Sequence, residues 1–263
     1  MYTTKKGATM LDAHRGVSTE YPENTMPAFK AAAEQGYEVI ELDPAVTKDG
    51  VIVFMHDSTI NRTGRRQDGS VIEERTYVDS LTYAELCELD FGIHFNEKFK
   101  GTKAPTLDEV LDFAYENNII LKIDAKLELF RMEALTTFVE TVKAHKAKKL
   151  VEFTVQTLPF LDFIVSHFPD NYIHYDLYMD KWHLKECRKR LKNNKLMVWL
   201  RMANEESKWC IYPPADARIY RLAKKYADSI GVWILTEDKE AEIAIRKYKP
   251  RIIETTGSIK PNS

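Results

Sequence analysis

The chain has 263 residues, 44% hydrophobic and 30% charged, with a net charge of −2, a balance that fills one large α/β domain or two small ones. That charge argues against a general nucleic-acid binder, which carries a strong basic excess. The basic stretches Lys143 to Lys149 and Lys185 to Lys195 fall in helical patterns and read as solvated faces.

The three cysteines (Cys87, Cys187 and Cys210) show no CxxC spacing, which points to a reducing compartment and away from a structural zinc. No apolar signal core of about 7–15 residues and no long apolar run follows Met1, so a cytoplasmic protein without stable membrane association is expected.

In chain order, a first apolar run at 9–13 reads as a strand and 25–35 as an amphipathic helix, with Asn24 suited to its N-cap and Gly36 to its stop. A second strand follows at 38–43. Residues 46–55 read as a hairpin turning at Asp49-Gly50, 81–89 as a short helix, and 91–103 as an aromatic excursion over the sheet's end. Thr106-Leu107-Asp108-Glu109 has capping-box spacing and opens a helix ending near Asn117.

Strands at 119–124, 150–155, 172–177, 195–200, 229–235 and 251–254 then alternate with helices at 130–146, 158–167, 181–193, 214–227 and 237–248. Eight buried runs separated by helices favour an α/β fold of the closed (β/α)8 TIM-barrel kind. An open doubly wound sheet is the alternative, but no GxGxxG follows an early strand. We read 1–263 as one domain with an inserted subdomain spanning about 45–104, between the second and third barrel strands.

Active groups of such barrels sit at the C-terminal ends of strands. His14 falls there on the first strand, Glu41 and Asp43 on the second, Asp124 and Lys126 on the third. Residues two apart on a strand share a side, so each pair should point to one mouth. Glu41, Asp43 and Asp124 together make a hard-oxygen site for one divalent cation, Mg²⁺ or Ca²⁺. Arg15 and Lys126 are candidate phosphate ligands, and His14 and His56 candidate proton carriers because imidazole titrates near neutrality. His94, His145, His167, His174 and His183 show no metal spacing and read as non-catalytic, while Trp182, Trp199 and Trp209 read as packing residues.

His14-Arg15-Gly16, Pro22-Glu23-Asn24-Thr25, Glu41-Leu42-Asp43, Thr47-Lys48-Asp49-Gly50, His56-Asp57 and Arg62-Thr63, in this order and spacing, resemble the N-terminal signature of the glycerophosphodiester phosphodiesterases. The insert ahead of Pro105-Thr106-Leu107-Asp108-Glu109 resembles the small subdomain that those enzymes carry. The resemblance implies a small-molecule substrate, a glycerophosphodiester cleaved to sn-glycerol 3-phosphate and an alcohol. It implies His14 and His56 as the acid/base pair, Arg15 and Lys126 on phosphate, and Glu41, Asp43 and Asp124 on a divalent ion. The route it implies is attack by the neighbouring glycerol hydroxyl, through a cyclic phosphate. Trp233 would then wall the pocket against glycerol carbons, the alcohol would point toward residues 91–99, and long diacyl lipids would be poor substrates.

The chain departs from the family pattern at Asp124-Ala125-Lys126, where Glu is usual, and Glu128 is a substitute ligand candidate. Pro44 follows the ExD pair, and the late elements survive only as Val232-Trp233-Ile234-Leu235-Thr236-Glu237 and Thr255-Thr256-Gly257-Ser258. Two rival readings are a phospholipase D-like lyase that stops at the cyclic phosphate and a non-catalytic barrel that binds glycerophosphates.

Overall fold

The computed structural model describes residues 9–202 and 214–261, so Trp209 and Cys210 lie outside the described residues. Eight parallel strands close a barrel: β1 (Met10–His14), β2 (Val39–Leu42), β5 (Ile120–Ile123), β6 (Val151–Val155), β7 (Ile173–Tyr175), β8 (Leu196–Arg201), β9 (Ser229–Leu235) and β10 (Ile252–Thr255), which pairs back onto β1. This closure, Met10 opposite Ile252 and Asp12 opposite Glu254, decides for the TIM barrel and against the open sheet.

The helices wrap the outside: α1 (Met26–Glu34), α3 (Leu107–Asn117), α4 (Met132–Ala144), α5 (Leu158–His167), α6 (Lys181–Arg190), α7 (Ala217–Tyr226) and α8 (Asp238–Tyr248). α3 starts as its sequence requires: the Thr106 hydroxyl accepts the Glu109 N–H, and the Glu109 carboxylate accepts the Thr106 N–H.

Strand alternation divides the barrel's contents. Outward-facing Leu11, Ile40, Leu121, Phe153, Val198 and Val232 are buried against the helices and form the main core. Inward-facing Val39, Met197 and Ile252 make an apolar plug, with Met10 and Ile120 packed on it, near the N-terminal ends of the strands. Gly231 makes room for the Trp199 ring, since a Cβ there would lie 2.5 Å from it.

Toward the C-terminal mouth the interior becomes charged. Lys122 lies 3.2 Å from Asp12, pairs with Glu254, and has its ammonium 4.0 Å from the centre of the Trp199 ring. Glu152 bonds His174 at 2.7 Å and Arg251 at 2.5 Å and 2.8 Å. Burying these charges requires their mutual pairing, because an isolated ion in this interior would be very costly.

The segment between β2 and α3 contains the antiparallel pair β3 (Pro44–Val46) and β4 (Ile52–Phe54) and a short helix α2 (Tyr83–Cys87). It has its own small core, including Val53, Ile60, Val78, Leu86 and Phe91. Its β4 N–H groups tie it to the barrel: the Phe54 N–H donates to the Pro105 carbonyl, and the adjacent Met55 N–H to that of Asp43.

Candidate active site

β1 ends on His14, and register places it opposite Glu41 of β2. The imidazole Nε2 lies 3.8 Å from a Glu41 carboxylate oxygen. Burial, reinforced by the Arg15 charge, holds the His14 pKa well below that of a free imidazole, so the ring is neutral and able to accept a proton. Arg15 turns into the left-handed region (φ 60°), and its N–H donates to the Glu41 carbonyl at 3.0 Å. The next residue, Gly16 (φ 80°), passes so close to Ala28 that a Cβ would meet it at 2.7 Å.

The carboxylate oxygens of Glu41, Asp43 and Asp124 lie within 4.8 Å of one another. Burial and then the neighbouring Asp43 charge push the Glu41 pKa well up. Asp43 is also buried, but Lys126 and Arg15 outweigh that penalty and hold its pKa down at about 2. The Lys126 ammonium is 2.5 Å from one Asp43 oxygen, and Arg15 Nε is 3.3 Å from the other. Three hard oxygen donors crowded against one another, with one carboxylate strained toward protonation, fit a divalent cation of the Mg²⁺ or Ca²⁺ kind.

Asn24 differs from the cap role read for it. Thr25 is the N-cap residue of α1, while Asn24 adopts φ 54° and turns its amide inward. Its Nδ2 donates to Asp43 Oδ2 at 2.8 Å, and its Oδ1 accepts the Asp43 N–H at 3.1 Å. Asp124 and Lys126 do not share a strand side either, because β5 stops at Ile123. Asp124 instead caps a 3-10 turn, Ala125–Leu129, by accepting the Lys126 N–H at 2.9 Å. The turn still brings the Lys126 ammonium to Asp43. Glu128 faces away from the acidic cluster: it accepts from Thr157 Oγ1 at 2.7 Å and from the Gln156 N–H at the start of α5.

His56 follows β4, with Nδ1 at 2.6 Å from Asp57. Asp57 accepts from Arg62 at 2.7 Å, Arg62 spans to Glu23 at 2.7 Å, and Glu23 accepts from Arg15 at 3.2 Å. The Arg62 hydrogen bond holds the Asp57 pKa at about 2, so this carboxylate stays charged and fixes the imidazole. With Nδ1 engaged, Nε2 is the atom left for proton transfer. Chain order alone does not show this relay, although Glu23, Asp57 and Arg62 all lie in the motifs that carry the resemblance.

Of the site's walls, sequence reasoning named Trp233 but missed Thr154 and Asp176. A cavity of about 150 Å³ at the mouth is lined by His14, Glu41, Asp124, Thr154, Asp176 and Trp233, with Lys122, Trp199 and Glu254 below. Among the described residues, the Thr154 hydroxyl is buried without a hydrogen-bond partner, and burial lifts the Asp176 pKa to about 6. Trp199 is thus a wall as well as a packing residue. Trp182, read as packing, is 60% exposed on α6.

A second cavity, about 370 Å³ at the ends of β7 to β9, shares Asp176, Trp199 and Trp233 with the first. A third, about 600 Å³, opens beside His56 and Lys126. Residues 91–99 do not line this third cavity: Phe91 is buried in the insert's core, and Phe95 and Phe99 pack edge to face.

His145, His167, His174 and His183 bond Asp112, the Phe163 carbonyl, Glu152 and Asp180 respectively. Among the described residues, no helix is long and apolar enough to cross a membrane.

The glycerophosphoryl diester phosphodiesterase family matches residues 14–253. A glycerophosphodiester phosphodiesterase of Caldanaerobacter subterraneus subsp. tengcongensis is 42% identical over 118 residues, 45% of each chain. One from Bacillus altitudinis is 36% identical over 124 residues, 47% of each. The chain thus aligns with about half the length of these curated relatives. A solved Oleispira antarctica phosphodiesterase, in complex with the product sn-glycerol-3-phosphate, superposes with a TM-score of 0.75 at 19% identity, covering 95% of this chain and 93% of that one. At that identity the likeness carries the fold.

Proposed function

Because this chain belongs to the glycerophosphoryl diester phosphodiesterase family, we propose that it hydrolyses glycerophosphodiesters to sn-glycerol 3-phosphate and an alcohol. The observation that carries the reading is the placement of one acidic cluster, two cations and two histidines at one mouth. Glu41, Asp43 and Asp124 converge within 4.8 Å, Lys126 and Arg15 flank Asp43, and His14 abuts Glu41.

In this reading Glu41, Asp43 and Asp124 hold one divalent cation, Mg²⁺ or Ca²⁺. Bound there, the cation would offset negative charge on the phosphoryl oxygens. Arg15 and Lys126 bind the same phosphate by charge-assisted hydrogen bonds. The neighbouring glycerol hydroxyl attacks phosphorus and needs no protein nucleophile, since proximity supplies its advantage. His14, kept neutral by burial, takes the hydroxyl proton, and His56, oriented by Asp57, protonates the departing alkoxide. Water then opens the cyclic phosphate. The segment at about 45–104 serves as an inserted subdomain that delivers His56 to the mouth. Trp233 offers its ring to the glycerol carbons at the wall of the small cavity.

The test is release of sn-glycerol 3-phosphate from glycerophosphoethanolamine, glycerophosphocholine and glycerophosphoglycerol, with ³¹P NMR of the product. Monoester is expected. Accumulating cyclic phosphate would indicate the lyase, and absence of turnover with retained ligand binding would indicate a non-catalytic barrel.

A further inference from the structure

A phosphodiester leaves its phosphorus along two ester arms, and the site gives the two arms different surroundings. On the His14 side lies the polar cavity of about 150 Å³, with Thr154 and Asp176 facing it. On the His56 side lies the groove of about 600 Å³, which among the described residues shares no lining residue with the first. The groove's Lys126 bonds Asp43 at 2.5 Å, and Asp43 clusters with Glu41 and Asp124, which line the small cavity.

We propose that the groove is a binding site for an apolar leaving alcohol, one that carries an alkyl or acyl chain. The inference rests on the phosphodiesterase reading above and extends its substrate class beyond small polar headgroups.

The groove is polar where it meets the reacting centre, at His56, Asp57 and Lys126. Farther out its walls are Val46, Val78, Tyr77, Leu129 and Phe130. Leu129 is 83% exposed and Tyr77 42% exposed. Scattered apolar exposure is ordinary on a protein surface, but here the exposed side chains line one concavity that is continuous with the candidate site.

The 3-10 turn Ala125–Leu129 links the two ends. Its first residues carry Lys126 to the phosphate locus, and its last presents Leu129 to the groove. A chain lying there would cover apolar surface that water now wets. The polar cavity suits the hydroxyl-rich glycerol arm, because the orphaned Thr154 hydroxyl gains a partner there.

The experiment is a chain-length series of glycerophospho-n-alcohols, from ethanol to octanol, assayed below micelle formation. For the wild-type protein, kcat/KM is expected to rise by up to about fourfold per methylene until the groove is filled. Leu129→Asp, at an exposed position, is expected to flatten the series while leaving glycerophosphoethanolamine turnover unchanged.

A flat wild-type series with intact turnover of short substrates overturns the groove assignment and leaves the phosphodiesterase reading standing. An undiminished slope in Leu129→Asp overturns it as well. A larger gain from a chain on the glycerol arm overturns the assignment of arms to cavities. Failure to hydrolyse any member overturns both readings together.

Discussion

Removing the Asn24 side chain tests whether a residue outside the acidic cluster sets the geometry of Asp43, a proposed cation ligand. Its amide makes two buried bonds to Asp43, and both residues are 2% exposed. Deleting it leaves the Asp43 N–H buried without a partner and removes a donor to a carboxylate. Each loss costs about 1–3 kcal/mol, giving about 3 kcal/mol for Asn24→Gly. Asn24→Ala adds roughly 1 kcal/mol more, because φ 54° is unfavourable for alanine and free for glycine. The difference between the two variants isolates the backbone contribution, and the glycine variant isolates the hydrogen bonds.

Functionally, Asp43 would keep its Lys126 and Arg15 partners but lose the amide that ties its carboxylate to its own backbone N–H. Losing such an orienting partner weakens apparent metal affinity by about 10–100-fold. Titration of activity with Mg²⁺ or Ca²⁺, alongside calorimetric metal binding and urea unfolding, separates the effects. Turnover at saturating metal should recover in Asn24→Gly. Unchanged metal affinity in a variant that shows the expected loss of stability would refute the positioning argument.

Much of the barrel is legible because its buried strands are short apolar runs between amphipathic helices. The runs at 229–235 and 158–167 coincide with β9 and α5, and other ends move by at most three residues where caps and turns intervene. Asn24 was misread for a physical reason. The same short polar amide suits a helix cap and a left-handed turn, and only the fold places it beside Asp43.

The interior charges were illegible as a network. Lys122 and Glu254 meet across 132 positions of chain, and period-2 alternation tells which side a residue faces but not what it meets there. The cavities are harder still, since turns from several strands build their walls.

Stripping metal with EDTA should abolish turnover, and Mg²⁺ or Ca²⁺ should restore it; Asp43→Asn should lose activity while unfolding cooperatively. Full turnover of verified metal-free protein would reject the cation reading. His14→Ala and His56→Ala should each lower kcat by roughly 10²–10⁴-fold, and near-normal rates in both would reject the acid/base pair.

The last prediction concerns acid stability and uses groups away from the acidic cluster. Glu152 is buried, yet His174 and Arg251 outweigh that penalty and hold its pKa at about 2 against an ordinary 4.5. Its folded value is depressed, so its contribution is complete above pH 4.5 and is lost as the pH falls toward 2. The size is on the order of 3 kcal/mol. Burial also lowers the His174 pKa below 6.5, so the unfolded chain binds that proton first and stability should begin to fall below pH 6.5. Urea midpoints at pH 7.5, 5.5, 4 and 3 should therefore decrease steadily, and Glu152→Gln should be less stable at pH 7.5 but flatter below pH 4.5. Parallel pH slopes for the two proteins below 4.5 would show that this carboxylate is not the group whose protonation opens the barrel.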